Sequence, residues 1–528
     1  MSTLKKVTLF KWLNLNKYFF EFKKEINHYF NQQAIYPLLF ISGIYLLAYS
    51  ALFLANVYFG DDVSRSVTGE RGWDNFSRHT TNFLATILNF SPKLTDIYPL
   101  NQLIATAIMA VSSYVLAKLF LQGKHDYHIF AASTILGLNP YFLANISYKY
   151  DSPFMALAIL STIFPFIFWK NRALFSVISV LSLLVMWTTY QAANSIYMQV
   201  MICLVMMSYF QNGTMNKQIN KNIIAAILSF CAAVIMFKLF FYQKSTEAYV
   251  DTGLASSLGI VLLNLHLYIK EITSYFSHSS TIIFCEAILL IFFYHVFNRT
   301  KARKDFIIAI MTTILMLVFS YGLYFILDRP LFKPRAYNGI GAFFALLAIM
   351  NVSLSSQFLL TKIAKWVNGL LIFNLMIIAL SYGNALKEYK KYANFRVELV
   401  MSDLNHLPID SFNYQKPIQI KSNPLSDLPS VTQNNAIVFP VIDKLISGQG
   451  FWHGTYTIAT HYFPDNTYDT HLLIRKHRVR GCDMNNKNAP IIRTIDTIHH
   501  TIYQYPDNCF QVEFKQMRPE SAIQSPKN

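Results

Sequence analysis

Long apolar runs separated by short polar turns dominate the first 383 residues of the chain. A helix that crosses a bilayer needs about 20 mostly apolar residues. The pattern predicts an α-helical polytopic membrane protein with about eleven transmembrane helices. The runs lie at 35–58, 98–121, 128–147, 153–169, 173–191, 192–210, 222–242, 280–298, 306–327, 338–360 and 366–383.

Basic residues in alternate turns give these predicted helices an orientation, because short loops rich in Lys and Arg lie on the cytoplasmic side of a membrane. Six lysines precede the first run. The other basic turns contain Lys124, Lys170, Arg172, Lys217, Lys221, Arg299, Lys301, Arg303, Lys304, Lys362 and Lys365. The N-terminus is therefore predicted to be cytoplasmic, and an odd number of spans places the C-terminus outside.

Changes of composition divide the chain into three parts. Residues 1–34 are basic and aromatic, and predict an amphipathic segment at the cytoplasmic membrane surface. Residues 35–383 form the transmembrane domain, whose first outer loop spans 59–97. Residues 384–528 are polar and predict a small outer α/β domain. Its β-like runs include 435–442, 455–463 and 509–514.

Composition and charge support a membrane protein. Only 14% of the 528 residues are charged, whereas soluble domains carry about 25%. A cytosolic enzyme, a coiled coil and a disordered tail protein are thereby excluded. The net charge of +17 would indicate nucleic acid in a soluble protein, but here the basic turns face anionic lipid, so no nucleic-acid partner is expected.

Cys482 and Cys509 are the two cysteines of the predicted outer domain, whereas the other three lie in apolar runs. An oxidising outer compartment favours disulfides. The sequence therefore predicts a disulfide between Cys482 and Cys509.

The first outer loop concentrates charge directly after the first span. Between Gly60 and Phe83 it contains four carboxylates and three arginines, and clustered ionisable groups at a membrane surface indicate function. Carboxylate plus guanidinium suits transfer of a group from a phosphate to a hydroxyl, since the carboxylate takes the proton and the guanidinium neutralises the leaving phosphate. A helical turn would put Arg65 on one face with Asp61 and Asp62, where simple ion pairing is the alternative interpretation.

Two further polar segments lie on the same predicted side. Lys149 and Asp151 follow the third span, and Asp328, Arg329 and Arg335 occupy the turn after the ninth. Each turn alone is typical of an anchor at the membrane interface. Three polar segments on one side favour a common site.

The order of these motifs resembles the Gtr-type O-antigen glucosyltransferases, a family of polytopic enzymes from temperate phages and bacteria. The resemblance covers about residues 35–340. It rests on DDxxR at 61–65, Gly72-Trp73, Ser77-Arg78, NPYFLANISYKYDSPFMA at 139–156 and TTYQA at 188–192. It implies a GT-C-like fold in the bacterial inner membrane, with a periplasmic active site and a periplasmic C-terminal domain.

The resemblance also implies the substrates and partners. The donor would be glucose on undecaprenyl phosphate, supplied by a companion polyprenyl-phosphate glucosyltransferase and a flippase, and the acceptor a hydroxyl of lipid-linked O-antigen. The anomeric centre would invert. Asp61 would be the base, with Asp62 the second candidate. Donor-phosphate candidates are Arg65, Arg78, Lys149, Arg329 and Arg335. Substrate-binding candidates are Trp73, Tyr148, Tyr150, Asp151, Tyr190 and Gln191.

The sequence contains no HExxH motif, no Cys and His spacing typical of zinc and no P-loop. Because a donor with a single phosphate can be neutralised by arginine alone, no obligatory metal is predicted. Mg²⁺ or Mn²⁺ held by Asp61 and Asp62 is the alternative.

Two other functions compete with the transferase. A transporter or flippase of lipid-linked saccharides would place ionisable groups near the bilayer midplane, whereas the predicted span centres are nearly free of charge and Glu286 is the exception. A structural membrane subunit would leave the charged first loop unexplained.

Overall fold

A computed structural model describes the chain as a mostly helical protein with a small C-terminal sheet. It describes residues 2–121, 126–213, 215, 217–244, 251–275, 280–300, 303–354, 358–407, 419–423, 425, 427–447, 490–506 and 508–516. The helices of the N-terminal half are α1 Ser2–Tyr29, α2 Ile35–Ala55, α3 Asp62–Thr68, α4 His79–Asn89, α5 Leu100–Phe120, α6 Tyr127–Ser133, α7 Ile135–Leu138, α8 Pro140–Ser147, α9 Ser152–Ile163, α10 Arg172–Trp187, α11 Asn194–Asn212 and α12 Lys217–Phe240. Those that follow are α13 Leu258–Ser274, α14 Ser280–Thr300, α15 Arg303–Phe319, α16 Asn338–Ser353, α17 Phe358–Asn405, α18 Ser430–Val438 and α19 Pro440–Ser447.

Within the described residues, six helices are long and apolar enough to cross a bilayer, or seven if one bent pair counts as a span. The chain is therefore a membrane protein, but the predicted count of eleven spans is not confirmed. Three of the predicted runs form shorter helices, namely Ser152–Phe168, Arg172–Trp187 and Asn338–Ser353. At 1.5 Å per residue these are roughly 25 Å long or less, shorter than the ~30 Å hydrocarbon core.

The helices enclose one large apolar core, and the most extensive contact between helices in it is the crossing of α2 and α17. Gly383 lies at this crossing, and a Cβ atom there would clash with the backbone nitrogen of Leu52. The absence of a side chain therefore permits the close approach of the two helices. The helix α17 is 48 residues long and passes residue 384 without a break, so it connects the membrane half directly to the C-terminal sheet.

The bent pair is the structural feature that positions the later site. The helices α6–α7 and α8 meet at 61° around Asn139 and Pro140. Because a residue that precedes proline is driven to an extended conformation, Asn139 has φ −60° and ψ 145° and interrupts the helix. Its side chain then accepts hydrogen bonds from the N–H groups of Tyr141 and Phe142 and caps α8. The end of α8 delivers the turn 148–151.

Four strands form the C-terminal sheet: β3 Gln419–Ser422, β4 Arg493–Asp496, β5 His500–Tyr505 and β6 Cys509–Phe514, in the order β3-β6-β5-β4. β3 is parallel to β6, and the other pairs are antiparallel. The sheet packs on the last turns of α17, where the buried Arg396 donates to the carbonyls of His499 and Lys515.

The strand predictions for this region have mixed outcomes. The run 509–514 is strand β6, as predicted. The run 435–442 is helical instead, divided between α18 and α19, which both pack on α17. Val441 and Ile442 are buried in the apolar core, whereas Ile437 and Val438 are exposed. The run 455–463 and Cys482 lie outside the described residues. Cys509 is disulfide-bonded, and the cysteines at 203, 231 and 285 are free.

Candidate functional site

Four separate segments meet at one end of the helices. They are the loop between α2 and α5, the turn 148–151 after α8, the Thr188–Gln191 turn after α10, and the short 3-10 turn Pro334–Ala336 before α16. The loop is fixed to the α10 turn because Thr80 N–H donates to the Thr188 carbonyl (3.1 Å) and Gln191 Nε2 donates to the Phe76 carbonyl (2.8 Å). The segment around Arg335 packs on α8. Most of the predicted site residues are thereby brought together.

Asp62 is a buried anchor between the loop and the turn after α8. Its Oδ2 accepts the N–H groups of Lys149 (2.7 Å) and Phe59 (3.2 Å), and its Oδ1 accepts that of Tyr150 (3.4 Å). Burial, aided by the charge of Asp151, raises the pKa of Asp62 to about 8, although Arg65 and the backbone N–H groups oppose the rise. The contacts of Asp62 are those of a structural residue.

Asp151 is the centre of a second cluster. Its Oδ1 accepts the indole N–H of Trp73 at 2.7 Å and faces Nη1 of Arg78 at 3.4 Å, while its Oδ2 pairs with Nη1 of Arg65. The Trp73 ring is completely buried, and the Arg65 guanidinium lies 4.9 Å from its centroid. Arg65 and Arg78 were predicted to bind the donor phosphate. In this structure both guanidinium groups contact Asp151.

Arg65 also reaches Asp61. Its Nη2 lies 3.8 Å from Asp61 Oδ2, and its Nε donates to the Arg71 carbonyl at 3.2 Å. Burial lowers the pKa of the Arg65 guanidinium, but the neighbouring carboxylates of Asp151 and Asp61 raise it above its ordinary value, so the group stays charged. The predicted helical turn from Asp61 to Arg65 is present, since Arg65 N–H donates to the Asp61 carbonyl at 3.1 Å.

Asp61 differs from the adjacent Asp62 in its surroundings. Its side chain is 45% exposed, whereas Asp62 is completely buried. Neighbouring carboxylates on a helix point in different directions. The Asp62 carboxyl group is therefore hydrogen-bonded to the backbone of the turn after α8, whereas the Asp61 carboxylate is open to solvent beside the guanidinium of Arg65.

Tyr148, Arg335 and Tyr190 form one wall of the site, and the charge of Asp61 acts on Tyr148. Nη1 of Arg335 donates to the hydroxyl of Tyr148, and the hydroxyl of Tyr190 donates to the Arg335 carbonyl at 2.9 Å. Burial raises the pKa of Tyr148 to about 12; the charge of Arg335 lowers it and that of Asp61 raises it, so both groups act on the same phenol. Arg78 lies 5.0 Å from the centroid of the Tyr190 ring.

Lys149 contacts residues that sequence reasoning did not identify. Its Nζ lies 3.2 Å from Asp96 Oδ2 and 3.9 Å from the centroid of the Tyr58 ring. The same Asp96 oxygen accepts a hydrogen bond from the hydroxyl of Tyr58 at 2.7 Å. Burial lowers the pKa of Lys149, and Asp96 opposes that effect. Asp96 stands just before the second span in the same outer loop, so its position in sequence was the available signal.

Two other predicted residues are less central. Tyr150 is buried with Trp73 and Phe154 in the small core of the loop. Arg329 lies exposed on the short strand β2 Leu327–Arg329, opposite Asp251 of β1 Asp251–Leu254. Within the part of the chain that the structure describes, Arg329 makes no hydrogen bond or ion pair with the other residues of the cluster. Nor do the described residues contain a group of three or more His, Cys, Asp or Glu side chains arranged to hold a metal ion.

The fold and this cluster define a membrane protein with a polar, ionised site at one end of its helices. The model of the family described as glucosyl transferase GtrII matches residues 49–346, which is more than half of the chain and includes all four segments of the site. The chain belongs to this family.

A relative in Salmonella phage P22 is described as an uncharacterized 55.3 kDa protein in the gtrB 5′ region. It is 24% identical to this chain over 233 residues, which are 43% of the chain and 46% of the relative. The chain therefore matches about half the length of this curated relative. No solved structure matches the chain.

Proposed function

We propose that this protein is a glycosyltransferase that moves glucose from undecaprenyl phosphate glucose to a hydroxyl of lipid-linked O-antigen at the periplasmic face of the bacterial inner membrane. Family membership supports the glucosyl transfer, and the resemblance to Gtr-type enzymes supports the donor and the acceptor. The observation that carries the site assignment is the contrast between the half-exposed Asp61 and the buried Asp62.

In the proposed reaction Asp61 accepts the proton of the acceptor hydroxyl. The hydroxyl oxygen forms a bond to the anomeric carbon of glucose while the bond from that carbon to the phosphate oxygen breaks, so the configuration inverts. The electron pair of the broken bond stays with undecaprenyl phosphate. Arg335 is the proposed partner of that phosphate because its guanidinium donates to the hydroxyl of Tyr148, the phenol on which the charge of Asp61 also acts.

Reconstitution tests this function directly. Wild-type protein in proteoliposomes is supplied with undecaprenyl phosphate glucose labelled in the sugar and with lipid-linked O-antigen, and label is expected in the acceptor fraction. Transbilayer movement of the lipid-linked saccharide without any transfer of label would instead establish the flippase, and the transferase proposal would fail.

Replacing Arg335 by Gln should lower kcat/KM for the donor by about 10²-fold, because one charged hydrogen-bond donor to the developing phosphate is lost. Gln still has an amide that can donate to the Tyr148 hydroxyl. Lys333→Gln is the matched control: it removes a charge two residues earlier, at an exposed position, and should leave kcat/KM unchanged. Equal kinetics for Arg335→Gln and Lys333→Gln would remove Arg335 from the donor site.

The proposed orientation predicts the outcome of alkaline phosphatase fusions. A fusion after residue 407, beyond the end of α17, should be active because it is exported, and a fusion after residue 213, in a basic turn, should be inactive. Colonies are scored on a chromogenic phosphatase substrate, with immunoblots to equalise expression. The reverse pattern would place the candidate site in the cytoplasm.

A further inference from the structure

A long apolar groove lies between helices α8, α13, α14, α15 and α16, and the function described so far does not use it. Its volume is about 570 Å³. Among the described side chains that line it, Glu286 of α14 is the only carboxylate, and the other polar ones are Asn139, Tyr141, Cys285 and three threonines. Along α14 the lining extends from Thr281 to Phe293, which is ~18 Å at 1.5 Å per residue.

From this groove we infer that the protein binds the polyisoprenyl chain of its sugar donor. This inference rests on the proposed function, and it adds a binding site for the part of the donor that does not react. A chain of isoprene units has no hydrogen-bonding groups, so it gains affinity by leaving water or lipid for a close-fitting apolar surface.

The volume of the groove limits its occupant. A space of about 570 Å³ has the size of ordinary small-ligand sites, and it accommodates a single slender hydrocarbon chain.

The groove is continuous with the wall of the candidate site. Tyr141 lines the groove, and its ring packs against Tyr337 with centroids 5.5 Å apart. Tyr337 follows Arg335 by two residues, and Ile340, which also lines the groove, follows it by five. At the rise of helical backbone this is ~10 Å or less along the chain. The groove therefore ends close to the cation that is proposed to hold the donor phosphate.

This short separation favours the donor over the acceptor as the occupant. In the donor the isoprenoid chain is attached to the phosphate, and the reacting carbon of glucose is attached to the same phosphate. In the lipid-linked acceptor, sugars and phosphate separate the reacting hydroxyl from its chain. Only the donor needs its hydrocarbon to begin next to Arg335.

Filling the groove tests the inference. Leu289 of α14 and Thr313 of α15 line the groove from different helices. Leu290 and Met311 do not line it and are 70% and 61% exposed on the same helices, so they provide matched controls. We expect Leu289→Trp and Thr313→Trp to lower the ratio of kcat/KM for an undecaprenyl donor to kcat/KM for a ten-carbon donor about tenfold or more. Leu290→Trp and Met311→Trp should keep the wild-type ratio.

Varying the chain length of the acceptor separates the two lipid sources. If the groove variants change only the dependence of kcat/KM on the chain length of the acceptor, or leave its dependence on both chain lengths unchanged, the inference is overturned.

Undecaprenyl phosphate with a diazirine close to its phosphate provides a measurement that needs no turnover. Crosslinks to α13–α16 that Leu289→Trp abolishes support the groove, and crosslinks found only elsewhere overturn it. Absence of glucosyl transfer from donors of every length by the wild type would contradict the proposed function, while the crosslink still reports on the groove.

Discussion

Asp61→Ala is expected to lower the rate of glucosyl transfer by about 10²–10⁴-fold, which is the usual contribution of a general base. The free energy of unfolding should stay within about 1 kcal/mol of wild type, because the Asp61 side chain is 45% exposed and its recorded side-chain partner is Arg65 at 3.8 Å. The protein would then be folded in the membrane and inactive.

The adjacent carboxylate supplies the matched comparison. Asp62→Ala leaves the N–H groups of Lys149, Phe59 and Tyr150 without their acceptor in a buried site, and we expect a loss of about 2–4 kcal/mol of stability. Asp62→Asn should lose less, because the amide oxygen can still accept the two shorter bonds. Substitution of Asp61 is thus expected to affect turnover, and substitution of Asp62 is expected to affect stability.

Both effects are measurable on the same preparations. Transfer of labelled glucose is assayed in proteoliposomes, and unfolding is followed by titration with SDS. Asp74→Ala, at a carboxylate of the same loop that is 68% exposed, controls for loss of loop charge. Wild-type turnover in Asp61→Ala would show that Asp61 is not the base. The same conclusion would follow if conditions that only stabilise the fold of Asp61→Ala restored its full activity.

The sequence predicted features that depend on neighbours along the chain. The i,i+4 relation of Asp61 and Arg65 follows from helix geometry and is present as an ion pair. The turn at 148–151 was recognised because a lysine and an aspartate close an apolar run. The first loop was recognised because its charges follow a span directly. In each case local spacing contained the information.

The partners of these residues were not predictable in the same way. Asp62 is 87 residues from Lys149, whose backbone N–H it accepts, and Asp151 is 86 residues from Arg65. No period or motif in a single sequence encodes which distant carboxylate a given arginine meets. Hydrophobic runs do not fix the number of spans either, since apolar side chains serve a buried short helix such as Asn338–Ser353 as well as a lipid-facing one. The run 435–442 shows a related ambiguity, because it forms parts of two helices that pack on α17.

The Asp151 cluster yields the largest expected effect on stability. In Asp151→Ala the guanidinium groups of Arg65 and Arg78, whose side chains are only 8% and 14% exposed, lose the Asp151 carboxylate, and Arg65 keeps only the longer pair with Asp61 at 3.8 Å. The indole N–H of Trp73 loses its acceptor. Removing one partner of a buried ion pair typically costs about 3–5 kcal/mol because the remaining charge is uncompensated. We expect a loss of that size in SDS unfolding, with little folded protein recovered at physiological temperature.

A double variant separates this charge effect from simple loss of packing. If the uncompensated guanidinium causes the damage, Arg65→Met in the Asp151→Ala background should recover about 1–2 kcal/mol, although Arg65→Met alone destabilises the protein. Asp151→Asn, which keeps an acceptor for the Trp73 indole but no charge, should fall between wild type and Asp151→Ala. Additive losses in the double variant would show that Arg65 and Asp151 are not energetically coupled. The segments that carry Asp61 and the turn after α8 would then be held together chiefly by the Asp62 hydrogen bonds.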